Sequence, residues 1–330
     1  MRAVLRYRHI AYRWVVRNSA QDQGLPEPTV AIIPVLVFHD GDGGYTEALV
    51  DSSPQIIRLE DEYKGRSLLP DDPVVGFLDH LVEDYGDEWT TKAMYHYRWH
   101  HLYPDAIEKA GNMLPLMADN QMDPGQHFRI KDFITKRQTS RTALVGSTEQ
   151  NRPVIEDSFV RLLTVMESHL TRHKFLLGDR PGRGDFGIFG QFSQLCFWEP
   201  DSARLAAVHS PRSVIWAYEV DDLASLDVQQ NKGWFTRETL PSTFLDLLHE
   251  IGQTYAPFMV ANHQALVTGA DEVVCSIQGL EYRQAPFPYQ QKCLIWLREA
   301  FSELSADDQK SVRQLIDGTG CEVLVADLHD

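Results

Sequence analysis

The sequence predicts a small α/β domain followed by a larger all-helical domain. Ile32–Phe38 is a short, apolar and β-branched run, which favours a strand. The tight turn DGDGG, Asp40–Gly44, follows it, and Glu47–Val50 can return as a second strand. Later apolar residues instead recur at helical spacing: Val74, Phe77, Leu78, Leu81, Val82 and Tyr85. This change of period predicts a domain boundary shortly before Val74.

Length, charge and cysteine content restrict the class of protein. The chain has 330 residues and is 43% apolar, which suffices for two domains with buried cores. Its net charge of −16 argues against nucleic acid and anionic membrane surfaces as partners. No apolar run approaches the ~20 residues of a membrane span. The four cysteines are too far apart for a disulfide framework or a zinc ribbon. We therefore expect a cytoplasmic protein with free thiols.

The start of the first helix after the hairpin carries the clearest candidate binding residues. The segment reads Asp51-Ser52-Ser53-Pro54-Gln55, in which Ser52 suits the N-cap and Gln55 stands at the capping-box spacing. Pro34, inside the first strand, indicates an edge position, a strand start or a special turn. Taken alone, each feature is commonly structural. Their occurrence together, in this order, favours a binding site.

The order of proline-led strand, tight turn, strand and acid-serine helix start resembles the thioredoxin-like domain of cytosolic glutathione S-transferases. The resemblance implies that the Ile33–Pro34 peptide is cis and that the backbone of Ile33 binds the cysteinyl part of glutathione. It also implies that Asp51 and Ser52 hold the γ-glutamyl end. A helix N-terminus attracts the glutamyl carboxylate, and Asp51 can pair with the α-ammonium group. Glutathione is thus the expected co-substrate, bound by Ile33, Pro34, Asp51 and Ser52.

A second stretch, Lys174–Phe192, carries the same resemblance. Its sequence KFLLGDRPGRGDFGIFGQF is similar to the signature of the helical domain of these transferases. In the family, a serine or threonine caps a buried helix and an aspartate three residues later completes the cap. Asp185 matches the aspartate, whereas Gly182 replaces the serine or threonine. Glycine is an acceptable N-cap, so we interpret Asp185 as structural.

The beginning of the chain departs from the family pattern. We predict a helix at Arg2–Arg8 and a short strand at Tyr12–Val16. In the family a further strand precedes this helix, and a tyrosine, serine or cysteine near the helix start activates the thiol. We therefore expect the first strand to be missing here and the native start to lie about 15 to 25 residues upstream of Met1. The thiol-activating residue is thus unknown and is expected in that upstream segment.

The resemblance divides the chain into three parts. Residues 1–66 are predicted to form the thioredoxin-like domain and 74–280 the all-helical transferase domain. Residues 281–330 are predicted to form a helical C-terminal extension. A homodimer is compatible with this family.

The predicted helix Trp89–Tyr103 is rich in aromatic residues and histidines. Tyr95 and Trp99 are four residues apart and share a face, so they are candidates to line the pocket for the acceptor substrate. Packing between domains is the alternative. His96 and His100 are also four apart, but no HExxH glutamate or cysteine cluster accompanies them. We therefore expect no metal site.

Three functions are compatible with these residues. The leading one is a glutathione transferase-like enzyme, in which the thiolate attacks a largely apolar electrophile or acts reductively. A non-catalytic binding or assembly protein of the same fold is the alternative, because fold alone does not establish chemistry. A metal-dependent hydrolase built on the histidine-rich helix is the remotest of the three.

Overall fold

The computed structural model describes residues 1–17, 19, 21–30, 32–229 and 232–326. The described chain is mostly helical. It begins with α1 (Arg2–Tyr7), β1 (Val35–His39), β2 (Tyr45–Val50) and α2 (Ser52–Glu62). The helices that follow are α3 (Pro73–Tyr85), α4 (Thr91–Trp99), α5 (Pro104–Ala118), α6 (Pro124–Thr139), α7 (Arg152–His169), α8 (Arg183–Leu195), α9 (Pro200–His209), α10 (Pro211–Asp221) and α11 (Ser242–Thr268). The last elements are β3 (Val273–Ile277), β4 (Leu280–Gln284), α12 (Pro288–Ser302) and α13 (Ala306–Ile316).

The predicted hairpin is confirmed. Strand β1 pairs antiparallel with β2, with Val35 opposite Val50. The Asp40 carboxylate closes the turn, because it accepts hydrogen bonds from the backbone N–H groups of Asp42 and Gly44, both at 2.9 Å. Within the described residues this sheet has two strands. An α/β segment followed by helices agrees with the predicted layout at this coarse level.

The predicted strand at Tyr12–Val16 is wrong. Residues 11–16 have no regular secondary structure, and the Trp14 side chain is 61% exposed beneath the Arg2 guanidinium. A strand requires a hydrogen-bonded neighbour, and among the described strands β1 pairs with β2 alone. The apolar residues of this segment therefore lie along a surface without entering a sheet.

Gln55 joins helix α2 to both strands and does not form the predicted capping box. Its side-chain amide donates to the carbonyl oxygens of Pro34, at 3.0 Å, and of Leu49, at 2.7 Å. The N-cap is Asp51, not Ser52, because the Asp51 carboxylate accepts from the Ser53 N–H at 3.3 Å. Ser52 is the first helical residue, which leaves its hydroxyl free of any capping role.

The structural role predicted for Asp185 is confirmed. Its two carboxylate oxygens accept hydrogen bonds from the backbone N–H of Leu176, at 2.9 Å, and of Gly182, at 3.0 Å. Asp185 is fully buried, so both oxygens act within the fold. This carboxylate connects the loop before α8 to the first turn of that helix.

Asp79 of α3 supplies the capping group that Gly182 lacks. Its carboxylate accepts hydrogen bonds from the backbone N–H groups of Arg183 and Gly184, both at 2.9 Å. A Cβ atom at Gly182 would lie 2.5 Å from Asp79 Oδ1. A serine at this position would therefore require the Asp79 carboxylate to move.

The C-terminal third contains a hairpin that the sequence reasoning missed. Strands β3 and β4 pair antiparallel through a turn in which Gln278 has a φ of 53° and Gly279 a φ of 77°. Two consecutive positive φ angles define the tight turn that matches strand twist. The prediction of all-helical structure for 74–280 and of a purely helical extension from 281 is therefore wrong at this hairpin.

The extension is otherwise helical and is fixed to the helical body. The Phe301 ring of α12 lies 5.5 Å from the Phe77 ring of α3. Arg237 pairs at 2.7 Å with both Asp72, before α3, and Asp308 of α13. No described helix is long and apolar enough to cross a membrane.

Candidate functional site

A cleft of about 1660 Å³ lies between the N-terminal hairpin region and helix α8. Ile33, Pro34 and Ser52 all line it. The Ile33–Pro34 peptide bond is cis, as the resemblance implies, and Ile33 is 82% exposed. Gln191 and Gln194 of α8 also line the cleft. Three of the four residues predicted to bind glutathione thus share one cavity.

Two carboxyl groups lie beside Ser52. The Ser52 hydroxyl donates to Asp87 Oδ2 at 3.3 Å, and the neighbouring Ser53 hydroxyl donates to Glu83 Oε1 at 2.9 Å. Asp87 and Glu83 both line the cleft. Arg183 Nε is 3.4 Å from Glu83 Oε2 and partly balances the acidic charge. The sequence reasoning did not identify either acid, because they lie on the segment from α3 into a short π-helical turn, far along the chain.

Burial raises the pKa of these acids. The pKa of Asp87 is well above its usual range, first because burial disfavours the charged form and then because Glu83, Glu88 and Asp84 are close. Burial also raises the pKa of Glu83, against the opposing effect of Arg183. An approaching cation would reverse these shifts by stabilising the carboxylates. The position next to Ser52 is therefore suited to a positively charged group.

The Asp51 carboxylate is already hydrogen-bonded within the protein. It accepts a hydrogen bond from the Tyr289 hydroxyl of α12, in addition to the Ser53 N–H. Asp51 is not among the residues that line the cleft. It also has a φ of 75°, an uncommon value for a residue other than glycine. The structure therefore places Asp51 behind Ser52, as a group that fixes the start of α2 against the C-terminal extension.

Tyr95 and Trp99 lie outside the cleft. The Tyr95 hydroxyl donates to the Gln138 carbonyl oxygen of α6 at 2.8 Å, and Trp99 is 3% exposed. Helix α4 instead contributes Met94 to the cleft, beside Leu114 and Met117 of α5. Methionine and leucine side chains form an apolar wall at this end. The residue of α4 that lines the cleft is therefore Met94, one position before Tyr95.

His96 belongs to a buried hydrogen-bond network. Its Nδ1 is 2.7 Å from the Ser147 hydroxyl and its Nε2 is 3.2 Å from Glu156 Oε1. This Ser–His–Glu order resembles that of a hydrolase triad, but Ser147 is 1% exposed and its own N–H is bonded to Thr142. An attacking hydroxyl must reach a substrate, so the network is a packing device. Both His96 nitrogens are engaged, which removes His96 as a metal ligand.

His100 and His101 lie close to Glu149, which is distant in sequence. His101 Nε2 is 3.1 Å from Glu149 Oε1, and His100 Nε2 is 3.7 Å from the same oxygen. One donor atom from each of the three residues lies within 4.8 Å of the others. Such a group can hold a metal ion. The sequence offers no spacing signal for Glu149, since it approaches only through the tertiary fold.

The four cysteines are unpaired and have raised pKa values. Burial raises the pKa of Cys196 and Cys321 to about 12 and that of Cys275 to about 11. Cys293 is also buried, and its pKa is raised for the same reason. A thiol with a raised pKa is a poor nucleophile at neutral pH. None of these cysteines lines the cleft.

Comparisons with models of protein families, with curated proteins and with solved structures each found no match to this chain.

Proposed function

We propose that the chain binds glutathione in the cleft at the start of α2 and transfers its thiolate to an apolar electrophile or uses it reductively. The observation that supports this most directly is that Ile33, Pro34 and Ser52 line the same cavity. The sequence alone marks these three residues as candidates to bind glutathione. The resemblance to glutathione S-transferases suggests the ligand, and the shared cavity supports a single site for it.

The polar contacts of the cleft support a bound amino acid or short peptide. The exposed backbone around Ile33 offers hydrogen-bonding groups to a ligand in extended conformation. Ser52, at the first position of α2, offers a hydroxyl where the helix dipole is positive. In this proposal Asp87, which lines the cleft beside Ser52, takes the place of Asp51 as the acid that faces the α-ammonium of glutathione. An ammonium there would favour ionised carboxylates and form charge-assisted hydrogen bonds.

The far end of the cleft supports an apolar second substrate. Met94, Leu114 and Met117 line it, together with Phe186 and Phe189 of α8. In the proposed conjugation, the glutathione sulfur forms a bond to an electrophilic carbon, and a leaving group departs with its electron pair. The thiol proton must be taken up by a base, to which we assign no residue.

Glutathione titration by calorimetry tests the binding proposal. Ser52→Ala should weaken binding about tenfold, which corresponds to about 1.4 kcal/mol for one hydrogen bond to a charged group. Ser305→Ala is the matched control, because Ser305 also stands at a helix start and accepts from Asp308 N–H, outside the cleft. The Ser305→Ala variant should bind glutathione with the same affinity as the unsubstituted protein. Absence of glutathione binding, or an equal loss in both variants, would contradict the proposal.

The acids beside Ser52 also support the alternative, a non-catalytic binding or assembly protein. A carboxylate close to a thiol disfavours the thiolate, because like charges raise the pKa. If the glutathione sulfur lies near Asp87 and Glu83, the bound thiol is not activated. A conjugation assay with chlorodinitrobenzene distinguishes the two. Binding without conjugation supports the binding protein, whereas conjugation that Ser52→Ala lowers supports the enzyme.

A further inference from the structure

We propose that His100, His101 and Glu149 form a binding site for a divalent transition-metal ion of the Zn²⁺ class. The two histidines stand at the end of α4, and Glu149 lies in the turn that leads into α7. This site is separate from the glutathione cleft, since none of the three residues lines it. It replaces the sequence-based expectation that the helix Trp89–Tyr103 holds no metal.

The donor spacing fits a tetrahedral ion. Zinc binds histidine nitrogen and carboxylate oxygen at about 2.0–2.2 Å, so two ligands of one tetrahedral ion lie roughly 3.3–3.5 Å apart. The distances from Glu149 Oε1 to the Nε2 atoms of His101 and His100, 3.1 and 3.7 Å, lie on either side of that value. The third pair of donors is within 4.8 Å. A small side-chain rotation therefore brings all three donors to one ion.

The chemistry of the donors favours borderline metals over magnesium or calcium. Two imidazole nitrogens and one carboxylate oxygen suit Zn²⁺, Ni²⁺ and Cu²⁺, whereas the hard cations prefer oxygen ligands alone. Three protein ligands leave a fourth position for water or an external ligand. The His101 and Glu149 side chains are 70% and 56% exposed, so the ion can enter from solvent.

Neighbouring groups orient the ligands. Arg152 Nε is 3.3 Å from Glu149 Oε2, so the oxygen that faces the histidines is Oε1. The His100 ring is buried and packs 4.6 Å from the His96 ring, which is itself fixed by Ser147 and Glu156. The long contact from Leu102 N to His100 Nδ1, at 3.5 Å, must break when Nε2 binds a metal, because Nδ1 then carries the proton. Contacts such as those of Arg152 and His96 commonly position metal ligands.

The expected consequence is a connection between the end of α4 and the turn before α7. A bound ion would add a second connection between two segments that already meet through the buried hydrogen bond between His96 and Ser147. Because the ion binds the folded chain, it should stabilise that chain by mass action. This effect is measurable whether or not the protein binds glutathione.

Calorimetric titration of the untagged, chelator-treated full chain with Zn²⁺ tests the site. We expect one ion per chain, at least a tenfold weaker affinity in His101→Ala and in Glu149→Gln, and an increase in Tm with Zn²⁺ that both variants lose. His173→Ala is the matched control, because the His169 and His173 rings also lie 4.8 Å apart, while His169 is bonded to Thr243 and Phe175. The control should bind as the unsubstituted protein does.

Cobalt spectroscopy provides a second measurement that does not depend on stability. Co²⁺ in a four-coordinate site with nitrogen and oxygen ligands absorbs visible light more strongly than hexa-aqua Co²⁺. We expect this absorption in the unsubstituted chain and in His173→Ala, and its loss in His101→Ala. No bound Zn²⁺, or binding that both ligand variants retain, would overturn the site.

Discussion

The starts of α2 and α8 are both capped by aspartate, but they differ in what the cap leaves exposed. At α8, Asp185 and Asp79 together accept four backbone N–H groups, and both carboxylates are buried. At α2, Asp51 accepts one N–H, and Ser52 lines a cleft. The α8 start is therefore complete within the fold, whereas the α2 start leaves the Ser52 hydroxyl at the wall of a cleft. An acid at a helix start indicates a site only where the helix end is accessible.

The largest effect on stability should follow from removing the carboxylate of Asp185 at the start of α8. Asp185→Ala leaves the buried N–H groups of Leu176 and Gly182 without acceptors, and each unsatisfied group costs about 1–3 kcal/mol. We expect the free energy of unfolding to fall by about 3 kcal/mol in urea titration. If the free energy of unfolding fell by less than about 1 kcal/mol, the Asp185 hydrogen bonds would not be essential to the fold, and the contrast between the α8 and α2 starts would be wrong.

A smaller effect should follow from separating α2 from the C-terminal extension. Tyr289→Phe removes the hydroxyl that donates to Asp51 and keeps the ring. We expect a loss of about 1 kcal/mol in the free energy of unfolding, the usual value of one hydrogen bond. Tyr218→Phe, at a 63% exposed ring on α10, is the control and should change nothing measurable. Equal stability in both variants would mean that the Asp51 contact does not fix the extension.

The smallest effect on stability should come from Ser52→Ala. Ser52 is not the N-cap, and its hydroxyl makes a single long contact with Asp87. We expect the free energy of unfolding to change by less than about 0.5 kcal/mol, while glutathione affinity falls as proposed above. A large loss of stability would identify Ser52 as a structural residue like Asp185.

Local patterns predicted the hairpin and helix α2, and the family resemblance predicted the Asp185 cap, since each depends on residues within a few positions. The same reasoning misplaced Tyr12–Val16, because a strand depends on a partner as well as on its own apolar residues. It assigned Gln55 to a capping box, although that side chain reaches two strands. The sequence also predicted that Asp51 binds a ligand, whereas its carboxylate is hydrogen-bonded to Tyr289 and Ser53.

The missing site contacts all come from distant parts of the chain. Asp87 reaches Ser52 from the π-helical turn after α3, Tyr289 reaches Asp51 from α12, and Glu149 reaches His101 from the turn before α7. Single-sequence patterns contain no signal for such pairs, because helix packing alone brings them together. The cleft-lining residues that the resemblance named from the sequence, Ile33, Pro34 and Ser52, belong instead to the local pattern of strand and helix start.

The Asp79 cap has a consequence for the order of folding. The first N–H groups of α8 are bonded by a side chain more than a hundred positions earlier, so this helix cannot complete its own start. The cap forms only after a long loop has closed, which is a slow class of contact. Amide exchange at Arg183 and Gly184 should therefore report the docking of α3 onto α8, separately from the formation of either helix.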